Sequence, residues 1–172
     1  MPKLTTVGRP AARASSSEIS CSGQAGSRVQ IFLRPAAVVA TGVATTAAGR
    51  KKFCTREPAC PLHAVSLDDA LAAGRPTVVT FATPLLCSSQ MCGPVVDEQM
   101  VAADKLGAKA GFIHVEIYPT RSTAKPARTF LQYGFTTEPW LLVIDRDGVI
   151  RARYEGPVTA GQVEDALRPL LA

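Results

Sequence analysis

The chain has 172 residues, 47% hydrophobic, 19% charged and 6% aromatic, the composition of a soluble globular protein with room for one ordinary domain and a tail. Its net charge of +5 is unevenly placed: residues 1–52 hold eight Lys and Arg against the single acid Glu18, whereas residues 53–172 hold eleven bases and thirteen acids. The basic excess belongs to the tail, and the folded part lacks the basic, aromatic-interleaved face that a nucleic-acid partner would require.

Residues 1–53 are poor in core-forming side chains and rich in Ser, Ala, Thr and Gly, so they are expected to form a mostly disordered tail, with residues 54–172 as the domain. One tail segment differs. Pro35 to Ala48 is a mildly apolar run set between Arg34 and the basic cluster Arg50-Lys51-Lys52. It is too short and too weakly apolar to span a bilayer, but it has the form of the apolar core of an export signal, with Ala47 and Ala48 where cleavage would fall. The basic stretch ahead of it is long for such a signal. Export or membrane association through this segment, and a plain extension on a cytoplasmic protein, both stay open.

Ser66-x-x-Asp69 begins a short helix through "LDDALAAG", closed by Gly74. "TVVTFA" (77–82) is a β-branched apolar run of the kind that forms a buried strand. Val95, Val96, Met100 and Val101 then recur at helical spacing, in a helix expected to end near Gly107. "GFIHVEIY" (111–118) alternates as a strand, and "AKPARTFLQYG" gives a helix from about Pro126 to Gly134. "WLLVI" (140–144) is a second buried strand. Asp145-Arg146-Asp147-Gly148 turns the chain into a last strand, "VIRARYE", and Thr159-x-x-Gln162 caps a closing helix. The order is β-α-β-α-β-β-α with one helix ahead of it. Strands joined through a helix run parallel with a right-handed crossover, so these elements make an α/β fold with a four-stranded mixed sheet and helices on both faces.

Five cysteines punctuate the chain. Cys87 and Cys92 form a C-x4-C pair directly after the first strand of that order. Within one straight helix they would be separated by about 7.5 Å along the axis, beyond the roughly 6.8 Å limit for bridged Cα atoms. A bond between them therefore needs Cys87 in the loop before the helix. Two helix starts are available: one capped by Ser88 or Ser89 that contains Cys92 and is kinked at Pro94, and one beginning at Pro94. In either, a thiol at the helix N-terminus is favoured as thiolate, the attacking species in disulfide exchange. A bond that merely locks the loop is the competing reading, although so small a loop gains little from a staple. Cys54 and Cys60 lie in a lead-in, "CTREPACPLH", where a structural disulfide would pin this segment to the domain and imply an oxidising compartment. The alternative there is a Cys60-x-x-His63 metal half-site, and the expectation is no metal. Cys21 is left over in the tail, His114 is read as packed or solvated rather than catalytic, and Trp140 as either groove-lining or core.

Over residues 66–172 the chain resembles the thioredoxin fold. The element order, the cysteines after the first strand, "GPVVDEQ" opening the next helix, and Pro139 directly before the "WLLVI" strand carry the match. More narrowly, the chain is similar to exported bacterial thioredoxin-like proteins that carry C-x4-C. The resemblance implies a cis proline at Pro139 beside the active site, with Pro94 and Glu138 also bordering the partner groove. It implies thiol–disulfide exchange with protein thiols or disulfides through Cys87 and Cys92, with no cofactor, in a monomer outside the cytoplasm. Leu86 stands where thioredoxin has a Trp, and Thr80 where it has a buried Asp that accepts a proton. Two readings follow: an oxidoreductase, or a redox-inactive binding module of the same fold whose Cys87–Cys92 bond is permanent. A peroxide-reducing thiol protein is a third, for which no supporting Arg or Thr constellation is visible.

Overall fold

A computed structural model describes residues 28–30, 34–35, 43–118 and 125–172. Two short strands, β1 (Arg28–Gln30) and β2 (Arg34–Pro35), are followed by a single-turn helix α1 (Ala47–Arg50), whose N-terminus is capped by the Thr46 hydroxyl. Helix α2 (Leu67–Ala72) starts at Ser66, whose hydroxyl accepts from the Asp69 N–H, and stops before Gly74, which takes the left-handed conformation. Strand β3 (Thr77–Ala82) is buried along its whole length, and helix α3 (Cys92–Leu106) ends at Gly107 as its sequence indicates. Strand β4 (Gly111–Glu116), helix α4 (Arg128–Gln132), strands β5 (Trp140–Ile144) and β6 (Val149–Glu155), and helix α5 (Ala160–Leu167) complete the chain.

β3 is parallel to β4 and antiparallel to β5, and β5 is antiparallel to β6. These are the four strands of the mixed sheet expected from sequence, in the order β6-β5-β3-β4. Beyond them, β1 and β2 pair antiparallel with β6, so segments within residues 1–53 extend that edge. The alternation along β3 divides its side chains between two cores. Val79 and Phe81 pack with Ile113, Leu142 and Ile144 under Leu67 of α2 and Phe130 of α4. Val78 packs with Leu141, Val143 and Tyr154 under Val95 of α3 and Val163 of α5. Helices therefore cover both faces, and no helix among the described residues is long and apolar enough to cross a membrane.

The other sheet edge, β4, is partly covered by the lead-in: the His114 N–H donates to the Leu62 carbonyl at 2.8 Å. Thr55 donates through both its N–H (2.6 Å) and its hydroxyl (3.1 Å) to Glu116 Oε1. Covering an edge strand in this way removes a row of open backbone groups. It also fixes residues 54–63 against the end of β3, where the chain turns toward Cys87.

Candidate functional site

β3 delivers the chain into a loop that holds Cys87 and then winds into α3. Thr83 anchors the exit: its hydroxyl accepts the Ile117 N–H at 2.9 Å, and its carbonyl accepts the Leu86 N–H at 3.0 Å. Cys87 lies in the loop, as bridging geometry demands, and Gln90 closes the loop with a positive φ of 59°. Both helix starts inferred from sequence are displaced. α3 begins at Cys92, with Met91 as an N-cap that offers no side-chain hydrogen bond, so neither Ser88 nor Ser89 caps it and Pro94 is its third residue. Pro94 produces no break because the first turn has no intrahelical partner for its missing N–H.

This start separates the two thiols chemically. Cys92 is fully buried, while Cys87 is partly exposed. Burial and the hydrogen bond that Cys92 gives to Cys87 push the Cys92 thiol far above the usual range. Burial would raise Cys87 too, but donation from the Cys92 thiol, the Ser89 hydroxyl (3.2 Å) and the Cys92 backbone N–H outweighs it and lowers this thiol below its ordinary value. The helix N-terminus thus serves the cysteine outside the helix.

Glu138 completes the group. Its Oε2 lies 3.6 Å from Cys92 Sγ, and it, Cys87 and Cys92 each place one polar atom within 4.8 Å of the others. Burial raises the Glu138 carboxyl, partly opposed by the hydrogen bond from Cys92. The Glu138–Pro139 peptide is cis. A groove of about 640 Å³ opens beside these residues, lined by Ser88, Ser89, Tyr118, Leu131, Thr137 and Glu138 among others. Pro139 is buried behind Glu138, and Pro94 is exposed on α3 and is not among the lining residues. Leu85 and Met91, 60% and 41% exposed, add apolar surface on either side of Cys87 in the chain.

No protein-family model matches the sequence, and no curated protein matches it. Solved structures do. A DsbF homologue from Corynebacterium diphtheriae aligns with a TM-score of 0.57 at 14% identity, over 90% of this chain and 100% of its own. A putative thiol:disulfide interchange protein DsbE from Chlorobium tepidum aligns with a TM-score of 0.51 at 17% identity, over 80% of this chain and 96% of its own. The chain has a thioredoxin-like fold.

In this thioredoxin-like domain Thr80 is fully buried on β3, and its hydroxyl has no hydrogen-bond partner among the described residues. The carboxylate within reach of Cys92 comes instead from Glu138. Trp140 is core: it is buried, stacks on Phe135 at 4.7 Å, and donates through Nε1 to the Thr137 hydroxyl. Gln99, unmarked in the sequence reading, is buried and donates through Nε2 to the Val78 and Ile113 carbonyls, tying α3 to β3 and β4.

Cys54 and Cys60 are buried, with their sulfurs 3.9 Å apart. The Cys60 thiol, donating to it, together with His114 and His63, holds the Cys54 sulfur well below the ordinary thiol range despite burial, and Cys60 is pushed up in turn. The sequence pairs the two cysteines and offers Cys60-x-x-His63 as the alternative, but it does not bring His114 to them. The pattern that could have done so is Cys54, Cys60 and His63 within ten residues, facing a histidine on a buried strand.

Proposed function

We propose that the protein is a thiol–disulfide oxidoreductase in which Cys87 is the attacking thiol and Cys92 the resolving thiol. The observation that carries this reading is the opposite treatment of two neighbouring sulfurs: one accessible and drawn toward thiolate, the other buried and held protonated. In the reducing direction, the Cys87 thiolate attacks one sulfur of a client disulfide. A mixed disulfide forms and the client's other sulfur leaves as a thiolate. Cys92 then gives its proton to the Glu138 carboxylate and attacks the Cys87 sulfur. The Cys87–Cys92 bond forms and the client's second thiolate leaves, so two electrons have passed from the dithiol to the client. The oxidising direction is the reverse.

Glu138 suits the proton transfer because burial has already raised its carboxyl toward the range where it holds a proton. The groove beside cis-Pro139, with Tyr118 and Leu131 in its walls, is the surface on which an extended client segment would lie. The solved structures of the same fold, a DsbF homologue and a putative DsbE, are in keeping with this chemistry. A compartment outside the cytoplasm fits it as well, and the apolar run 35–48 is the sequence feature that would direct the chain there.

Trapping tests the assignment. Cys92→Ser cannot resolve the intermediate, so it should accumulate client proteins as mixed disulfides on Cys87, visible by non-reducing electrophoresis and mass spectrometry. Cys87→Ser should accumulate none. Capture by neither variant, or capture only through Cys92, contradicts the reading.

A further inference from the structure

The lead-in and β4 bring together four potential ligand side chains that disulfide exchange does not use. Cys54, Cys60, His63 and His114 are 1%, 0%, 2% and 2% exposed. One sulfur or ring nitrogen from each lies within 4.8 Å of the others. The two sulfurs are 3.9 Å apart, Cys60 Sγ is 3.3 Å from His114 Nδ1, and the two imidazole centroids are 4.7 Å apart. A tetrahedral ion holding thiolates at about 2.3 Å and imidazole nitrogens at about 2.0 Å sets its sulfurs about 3.8 Å apart and a sulfur and a nitrogen about 3.5 Å apart. The Cys54–Cys60 and Cys60–His114 separations already stand within a few tenths of an ångström of those values.

The hydrogen bonds around the cluster point the same way. His114 Nε2 lies 3.1 Å from the Ala82 carbonyl, which can only accept, so this nitrogen carries a ring proton and Nδ1 is the nitrogen that faces the cluster, 3.3 Å from Cys60 Sγ. A ligating histidine fixed through its other nitrogen by a backbone carbonyl is the usual outer arrangement of a metal site. His63 Nε2 is buried without a hydrogen-bond partner, a costly condition for a ring nitrogen. A Cys54–Cys60 disulfide, the pairing expected from sequence, would consume both sulfurs and leave that nitrogen as it is.

We propose that Cys54, Cys60, His63 and His114 form a closed Cys2His2 site for a divalent zinc ion that clamps the lead-in to β4. Two thiolates and two neutral imidazoles match the softness and tetrahedral preference of zinc, and four protein ligands leave no open position for catalysis. With the ion bound both sulfurs are thiolates, and the two thiolates balance its charge, so the centre is neutral and can be buried. The clamp sits under the redox loop: the Thr55 hydroxyl accepts the Leu85 N–H at 3.4 Å, Arg56 pairs with Asp97 of α3 at 2.6 Å, and Cys92 packs in the same cluster as Cys54 and Cys60. With zinc in place, these cysteines cease to argue for an oxidising compartment.

The test uses the full chain carrying Cys21→Ser, Cys87→Ser and Cys92→Ser, so that Cys54 and Cys60 are the thiols that remain. Purified without chelator, it should contain zinc in equimolar amount by elemental mass spectrometry. Grown in cobalt-supplemented medium, it should show the visible bands and the thiolate charge-transfer absorption of a tetrahedral cobalt site. Adding His63→Gln should reduce metal to background. If that variant does not fold, the cobalt spectrum of the parent decides the matter alone. Absence of stoichiometric metal, full retention of metal in a folded His63→Gln chain, or a Cys54–Cys60 disulfide in metal-free protein overturns the proposal.

Discussion

Cys87 and Cys92 share one loop, yet the fold gives them unequal exposure and unequal hydrogen bonding. Cys92 is the first residue of α3, so its N–H points out of the helix toward Cys87 while its side chain turns into the core. Site-resolved alkylation of the reduced protein should therefore find Cys87 reacting at pH values below the ordinary thiol midpoint of about 8.5, with Cys92 silent over the same range. Glu138→Gln separates two effects of the carboxylate. Its charge raises both thiols, so its loss should move the Cys87 profile to still lower pH. As the proposed base for Cys92, its loss should also slow resolution of a preformed mixed disulfide, by on the order of 10²-fold. A variant that shifts the profile without slowing resolution would leave Glu138 with an electrostatic role only. The cysteines and Glu138 could be singled out from sequence because spacing and position mark them. The displaced helix start could not, since Met91 is a poor cap by type and Gln90 carries no sign of the left-handed conformation it adopts.

At the level of elements, the β5–β6 hairpin shows how a turn written in sequence holds the sheet edge. Asp145 Oδ1 accepts the Asp147 and Val149 N–H groups at 2.9 and 2.8 Å, and its Oδ2 accepts from Arg151. Burial would raise this carboxyl, but donation from Val149, Arg151 and Asp147 outweighs it and holds the carboxyl below its usual value. A depressed acid contributes stability that is present above its unfolded pKa of about 3.9 and is lost as pH falls through its lower folded value. Asp145→Ala should cost about 1–3 kcal/mol in denaturant unfolding near neutral pH. Asp145→Asn, which keeps Oδ1 as an acceptor, should cost less and should narrow the stability gap to wild type at acid pH. Equal stability of Asp145→Ala and wild type at neutral pH would contradict this account of the turn. Element order was legible because strand alternation, the Ser66 and Thr159 caps and the Asp-Gly turn each act locally. β1 and β2 were not, because short segments in a polar stretch take their strand character only from β6.

The whole molecule places its reactive groups at one end of the sheet, where β3 runs out, the cis-Pro139 segment enters β5, and the lead-in packs beneath. The juxtaposition of His63 with His114 belongs to this scale. The spacing of Cys54, Cys60 and His63 marks the lead-in, but which strand it meets is not local information, because the meeting depends on the lead-in pairing with an edge strand through the His114–Leu62 hydrogen bond. Chain entropy alone would give a bond closing the short Cys87–Cys92 loop a stabilisation of only about 2 kcal/mol. On the proposed assignment, stabilising the Cys87 thiolate in the reduced form opposes that gain and would keep the bond exchangeable. The reduction potential of the Cys87–Cys92 couple measures this balance directly. Equilibration with glutathione or reference thioredoxin buffers, with Cys54, Cys60 and Cys21 monitored separately by mass spectrometry, should give a value within the range of working thiol exchangers, about −270 to −120 mV. A value below about −300 mV would mark a permanent structural bond and contradict the assignment of this dithiol as the site of exchange.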